Sequence, residues 1–254
     1  MPVGDRPVNE LGCRWRDTRY SDDIMTNGED VTGRGGHFSD KRAATLLQAA
    51  QAIVRETGNF DLPMRTLAAR AQVSLRTPYE VFGSKNGIIR ALLISEQEEF
   101  REIVKNFRSI DRLEMFFDRT LLGMEFYARE QPFYRALFRA TQAFSGGDET
   151  EPAREMLPIY ANMVRRAIEE GFLRDDLNIT NIAEILTDLF AANLRNWASS
   201  DFDIWLAGQK ICFGFSLALA GVATSQWVER LHLSARTYDK SIEDYLSGVA
   251  TPAR

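Results

Sequence analysis

Leu67 to Lys85 reads LAARAQVSLRTPYEVFGSK. Two short helices joined by a tight turn account for it, with a phosphate-seeking lysine just beyond the second. Leu67, Ala68 and Ala71 give the first helix a small apolar face, and Pro63 sits near its start, where a missing N–H does no harm. Ser74 suits the N-cap of a second helix running from about Leu75 to Val81. That helix is too short to be stable alone, so neighbours must hold it while Arg76, Thr77, Tyr79 and Glu80 face outward. This is the pattern of a DNA-reading helix-turn-helix.

The stretch resembles the TetR family of bacterial transcriptional regulators in Ala71-x-Val73-Ser74, followed by Thr77-x-Tyr79-x-x-Phe82-x-Ser84-Lys85. Upstream, Leu46-Leu47-x-Ala49-Ala50 and Gly58 are similar to that family's first helix and its terminating glycine. The resemblance implies that Tyr79 and Lys85 bind phosphates, that Arg76 and Thr77 lie nearest base edges, and that Val73 and Phe82 pack the head together. Three positions depart from the pattern. Gln72 stands where a turn glycine is usual, at a cost of up to about 1 kcal/mol if φ must be positive. Pro78 lies inside the recognition helix, which tolerates it only within the first turn. Glu80 repels phosphate, although a carboxylate can accept from a cytosine amino group.

The formal net charge is −5 over 254 residues, yet residues 41–90 hold eight basic side chains against three acidic ones. A local basic face is what counterion release requires, and an acidic remainder limits non-specific sticking. Ordinary solvated helix charges are the alternative, and the helix-turn-helix pattern decides against it. The DNA-facing set expected from sequence is Lys41, Arg42, Arg65, Ser74, Leu75, Arg76, Thr77, Tyr79 and Lys85.

The chain is long enough to bury a substantial core in one or two domains. Cys13 and Cys212 are far apart and follow no secretory signal, which suggests a reducing, cytoplasmic setting. His37 and His232 are the only histidines, no CxxC or HExxH spacing occurs, and no metal site or cofactor is expected. The first 38 or so residues are rich in Gly, Asp, Arg and Asn without apolar periodicity, and read as a disordered extension. Met25 within them offers an alternative translation start. Arg14, Trp15, Arg16 and Arg19 suit a minor-groove arm, but seven acidic residues, Asp5 to Asp30, weigh against it.

Beyond the helix-turn-helix the periodicity is helical throughout, and no period-2 pattern competes. The expected fold is all-α: a three-helix reading head over 39–86, a larger helical ligand-binding and dimerisation domain over 87–232, and a C-terminal helix or tail over 233–254. Ser145 to Pro152, SGGDETEP, reads as an exposed loop, and Gly171 closes a later helix as a C-cap. The middle of the chain is aromatic-rich. Read residue by residue it is plain core, but a TetR-like regulator needs an apolar cavity, with Phe107, Phe117, Leu121, Met124, Tyr127, Phe138, Tyr160 and Met163 as its expected lining. Arg119, Glu125 and Arg135 offer polar anchors there, although surface charge is the simpler reading of each.

Ile182, Ile185, Leu186, Leu189, Phe190, Leu194 and Trp197 form an apolar stripe on one helix, and Ile211 to Val228 carries no charge. Membrane insertion is weighed and set aside because Gly, Ser, Thr and Gln interrupt that run. A homodimer interface is expected instead, through Ile185, Leu189, Ile211, Phe215, Ala218 and Val222. Two function classes follow. One is a homodimeric regulator, a repressor released from double-stranded operator DNA by a mainly apolar small molecule. The other is an all-α binding module or enzyme with a degenerate head, and no catalytic constellation supports it.

Overall fold

Apolar side chains recurring every three to four residues fold the described residues, 37–105, 107–142 and 152–248 of this computed structural model, into ten helices. Among the described residues there is no strand, only an isolated bridge between Leu173 and Ala223. The extension up to Gly36, with Met25, Cys13 and the arginine-rich arm, lies outside the described residues, as do positions 145–151 of the expected loop.

The head is built from α1 (His37–Thr57), α2 (Met64–Arg70) and α3 (Thr77–Phe82). Leu46, Ala50, Ile53 and Val54 of α1 meet Leu67 and Ala71 around α2, with Phe60 and Leu62 closing the connection. These are the residues that hold a six-residue α3 in place, since such a helix has no stability of its own. The start of α4 (Lys85–Lys105) seals the head: a Cβ on Gly87 would lie 1.9 Å from the Phe82 carbonyl oxygen, so only glycine permits this approach of α4 to α3.

Behind the head stand α5 (Glu114–Ala128), α6 (Gln131–Gln142), α7 (Pro152–Glu169), α8 (Ile179–Ser199), α9 (Ile204–Ala220) and α10 (Ser225–Leu246). Asn178 caps α8 by accepting from the amides of Thr180 and Asn181, and Asp203 caps α9 by accepting from Trp205 at 2.7 Å. Gly171 adopts φ +77 past the end of α7 while the Phe172 amide donates back to Ala167 at 2.8 Å, the expected glycine termination. The uncharged run Ile211–Val228 is not one helix. It breaks after Ala220, where the turn 221–224 pairs with residues 172–174 through Arg174 N–H to Val222 and Thr224 N–H to Phe172. No helix among the described residues is long and apolar enough to cross a membrane. Helix α10 runs unbroken past position 232, and the α4 helix begins two residues before position 87.

Candidate functional site

The reading face is presented by a turn followed by α3. Ser74 does not cap it: the helix begins at Thr77 with Arg76 at the cap position, and the Ser74 hydroxyl bonds the Thr77 hydroxyl at 2.9 Å. The reason is the tight turn before it, in which the Thr77 amide donates to the Ser74 carbonyl at 3.0 Å. Pro78 falls in the first turn of α3, where no N–H is needed. Gln72 does take a positive φ of 54, the conformation for which glycine is the low-cost residue.

Tyr79 is 48 % exposed and Leu75 47 %, so two large side chains of the head stand in solvent beside the exposed Arg76. Thr77 is half-buried, while Lys41, Arg42 and Arg65 are exposed. Two of the cations hold nearby carboxylates: Arg76 Nε lies 2.7 Å from Glu80 one turn on, and Lys85 Nζ lies 3.2 Å from Asp61. Both pairs are solvent-facing and worth little, so a phosphate can displace either carboxylate at small cost. Arg70 is different. It grips Glu56 with both terminal nitrogens and ties α2 to α1.

A cavity of about 450 Å³ opens behind the head between α4, α5, α6, α7 and α8. Of the eight residues expected to bind ligand, Tyr127, Phe138 and Tyr160 lie in its wall. The other five do not, and helix geometry explains most of the difference. On α5 the cavity-facing row is Arg119, Thr120, Gly123 and Tyr127, whereas Leu121 and Met124 turn to α9, where Gly208 leaves them room. Phe117 stacks on Tyr238 of α10 with ring centroids 5.7 Å apart, Met163 is buried core, and Phe107 lies past the end of α4. Phe100, Phe190, Met156 and Leu137 supply the apolar wall instead.

The polar wall was the less legible part. Glu96 of α4 is buried, and burial pushes its carboxyl above the usual range while two donors hold it: Tyr134 Oη at 2.6 Å and Gln51 Nε2 at 2.8 Å. Gln51 belongs to α1, so this carboxylate joins the cavity wall to the head. A second link runs alongside, from Arg55 of α1 to Glu130 at 2.6 Å, with Arg55 also over the Phe133 ring. Arg119 lines the cavity with its Nε buried and without a hydrogen-bond partner among the described residues. Arg135 is neither an anchor nor a free surface charge: it donates to the carbonyls of Trp197 and Phe202, both at 2.6 Å, and to that of Ser200, closing the C-terminus of α8. Glu125 is exposed and outside the wall. Among the described residues no three His, Cys, Asp or Glu side chains are grouped to hold a metal.

Solved structures share this fold. TylP, a TetR regulator from Streptomyces fradiae, superposes with TM-score 0.54 at 21 % identity over 80 % of this chain and 99 % of its own. A TetR-family transcriptional regulator from Syntrophomonas wolfei gives 0.55 at 17 % over 71 % and 96 %, and CprB from S. coelicolor A3(2) gives 0.52 at 18 % over 78 % and 98 %. The chain has the TetR fold. No protein-family model matches the sequence, and no curated protein matches it.

Within this TetR fold the expected dimer residues separate into two groups. Ile211 and Phe215 are wholly buried inside the chain's own core and have no surface to offer a partner. The cause is that α9 is enclosed by α5, α8 and α10, so most of its circumference is used internally. Gly214 likewise serves an internal contact, since a Cβ there would lie 3.3 Å from Leu189. What remains outside is one apolar strip across α8 and α9, with Ile185 54 % and Leu217 51 % exposed and Leu189, Ala218 and Val222 partly so.

Proposed function

We propose that this chain is a homodimeric, ligand-responsive DNA-binding transcriptional regulator: a repressor released from its operator by a small, mainly apolar molecule. The observation that carries the reading is the hydrogen bond from Gln51 of α1 to Glu96 in the cavity wall. It supports a direct mechanical route from ligand to head. TylP, a TetR regulator, shares this fold, which supports the same reading.

The chain divides functionally after α3. Residues 39–86 read DNA; residues 87–232 bind the effector and the second copy; the remainder of α10 extends that body. In the dimer two α3 helices enter successive major grooves, where Arg76 and Thr77 meet base edges and Tyr79 and Lys85 meet phosphates. Lys41, Arg42 and Arg65 add phosphate contacts around them. A ligand seated against α4 and α6 shifts α1 through Glu96, and it releases DNA only if it prefers the head spacing that does not fit the operator.

The test is a gel shift with DNA from the protein's own promoter region, followed by the same shift in the presence of compounds that raise the melting temperature. Salt-dependent, sequence-selective retardation that a stabilising compound reverses is the expected result. Retardation equal on random DNA, or none, sinks the regulator reading.

A further inference from the structure

We infer that the cavity takes an amphipathic monoanion, a ligand whose single carboxylate sits on Arg119 and whose apolar body lies against Phe100, Phe138, Phe190 and Met156. The inference deepens the reading of this cavity as the effector site and rests on it.

A guanidinium is always charged at physiological pH and carries five donors. Arg119 places that group in the wall of the cavity with its Nε buried and unpartnered among the described residues. Buried charges are ordinarily paired, because an isolated one is costly to desolvate. What surrounds this one does not neutralise it. Phe100 offers the face of its ring at 5.7 Å, which partly compensates the charge but accepts no ordinary hydrogen bond. The phenols of Tyr160 and Tyr127 are the titratable groups that favour the charge most, and burial raises the pKa of both, so they remain neutral.

Glu96 is the single acidic residue among the described residues of the wall, and its two oxygens already accept from Gln51 and Tyr134. Arg101, which also lines the cavity, adds like charge near Arg119 rather than relieving it. The missing counter-charge is therefore the ligand's. A planar carboxylate matches the guanidinium fork, and its single charge is the one that Arg119 leaves unmatched.

The experiment compares matched pairs by titration calorimetry on the full-length protein: decanoate with decan-1-ol, and 2-naphthoate with 2-naphthol. The wild type should bind the acid of at least one pair about ten to a hundredfold tighter than its alcohol, the range a hydrogen bond to a charged group supports. In Arg119→Met the preference should fall to near unity while the alcohol's affinity holds. The ligand-free variant should also melt no lower than the wild type, because a well-packed thioether replaces an uncompensated charge; a merely structural arginine would lower it. Should Arg119→Met not fold, the proposal is overturned by that instability. Equal binding of acid and alcohol by the wild type, or a preference that survives Arg119→Met, overturns the anchor and leaves the cavity reading standing. Failure of all four compounds to bind overturns the cavity reading and the anchor together.

Discussion

Gln51 and Glu96 are forty-five residues apart in sequence and meet at 2.8 Å, one on the first helix of the head and one in the wall of the cavity. Tyr134 holds the other carboxylate oxygen from α6, so the three side chains form a single polar unit inside an otherwise apolar junction. Such a unit has few alternative arrangements, because each unmade bond leaves a buried group unsatisfied. Replacing Gln51 with leucine should therefore leave ligand affinity within about twofold but weaken ligand-induced release of DNA. A hundredfold release requires about 2.7 kcal/mol of coupling, and one lost buried hydrogen bond removes about 1–2 kcal/mol of it, so release should fall to between about threefold and about twentyfold. Operator affinity measured with and without saturating ligand decides; undiminished release would move the route to Arg55 and Glu130.

The reading face allows a separation of roles. Lys85→Ala and Tyr79→Phe should weaken binding by similar factors across related operators, since phosphate contacts position without specifying. Losing the Lys85 contact should flatten the plot of log K against log salt by about 0.9 per phosphate, or about twice that for a dimer. Arg76→Ala should instead relax preference at one base position per half-site by about 1–3 kcal/mol. Uniform weakening of every sequence by Arg76→Ala would make it a phosphate clamp.

Much of the head was legible because its signals are local. Gly58, the small face at Leu67, Ala68 and Ala71, and Pro78 each act within a turn or two of themselves. The cavity was legible only as composition. Aromatic content selects α5, α6 and α7 but not the face of α5 that turns inward, because that depends on where α9 packs; Gly208 was the available signal, since a Cβ there would lie 2.7 Å from Met124. Ile211 and Phe215 misled for the same reason. An uncharged helix is equally consistent with being enclosed by its own chain and with meeting a partner, and only the three-dimensional placement of α10 over α9 separates the two. Sequence shows Arg119 as a charge, and that its Nε is buried without a partner among the described residues is a property of the fold alone.

Glu80 stands one turn from Arg76 on the face that approaches DNA and holds its guanidinium at 2.7 Å. Removing that carboxylate should strengthen binding to all sequences by a few-fold, because both the competing partner and a like charge to phosphate disappear. Glu80→Gln measured on operator and on random DNA gives the answer. A loss confined to operators with cytosine at one position would show that Glu80 reads a base instead.

Asp118 on α5 carries the pH prediction. Burial pushes its carboxyl up to about 6 from an ordinary 3.8, with Glu114 and Asp111 adding to the shift and Ser109 opposing it. Its folded value lies above its unfolded one, so its favourable contribution is fully present below pH 3.8 and is lost as pH rises through 6. Asp118→Asn should leave stability near pH 4 unchanged and raise it at pH 7.5 by on the order of 1 kcal/mol after discounting for partial exposure, roughly 2–4 °C in melting temperature. Equal melting of the two proteins at pH 7.5 would place the Asp118 carboxylate in effective contact with water.

The strip formed by Ile185, Leu189 and Leu217 makes the dimer testable without confusing dissociation with unfolding. Leu217 is 51 % exposed, so Leu217→Glu costs the isolated chain little and should leave its helicity intact. In a dimer built on this strip the same change buries an unpaired charge at each copy, and the protein should run as a monomer by light scattering. Operator affinity should then fall steeply, because a single head gains far less than two heads tethered at the right spacing. Phe215→Glu provides the contrast. Phe215 is wholly enclosed by its own chain, and a carboxylate there should abolish folding rather than assembly. A Leu217→Glu protein that stays dimeric would remove this strip from the interface and direct attention to the exposed Leu233 and Leu246 of α10.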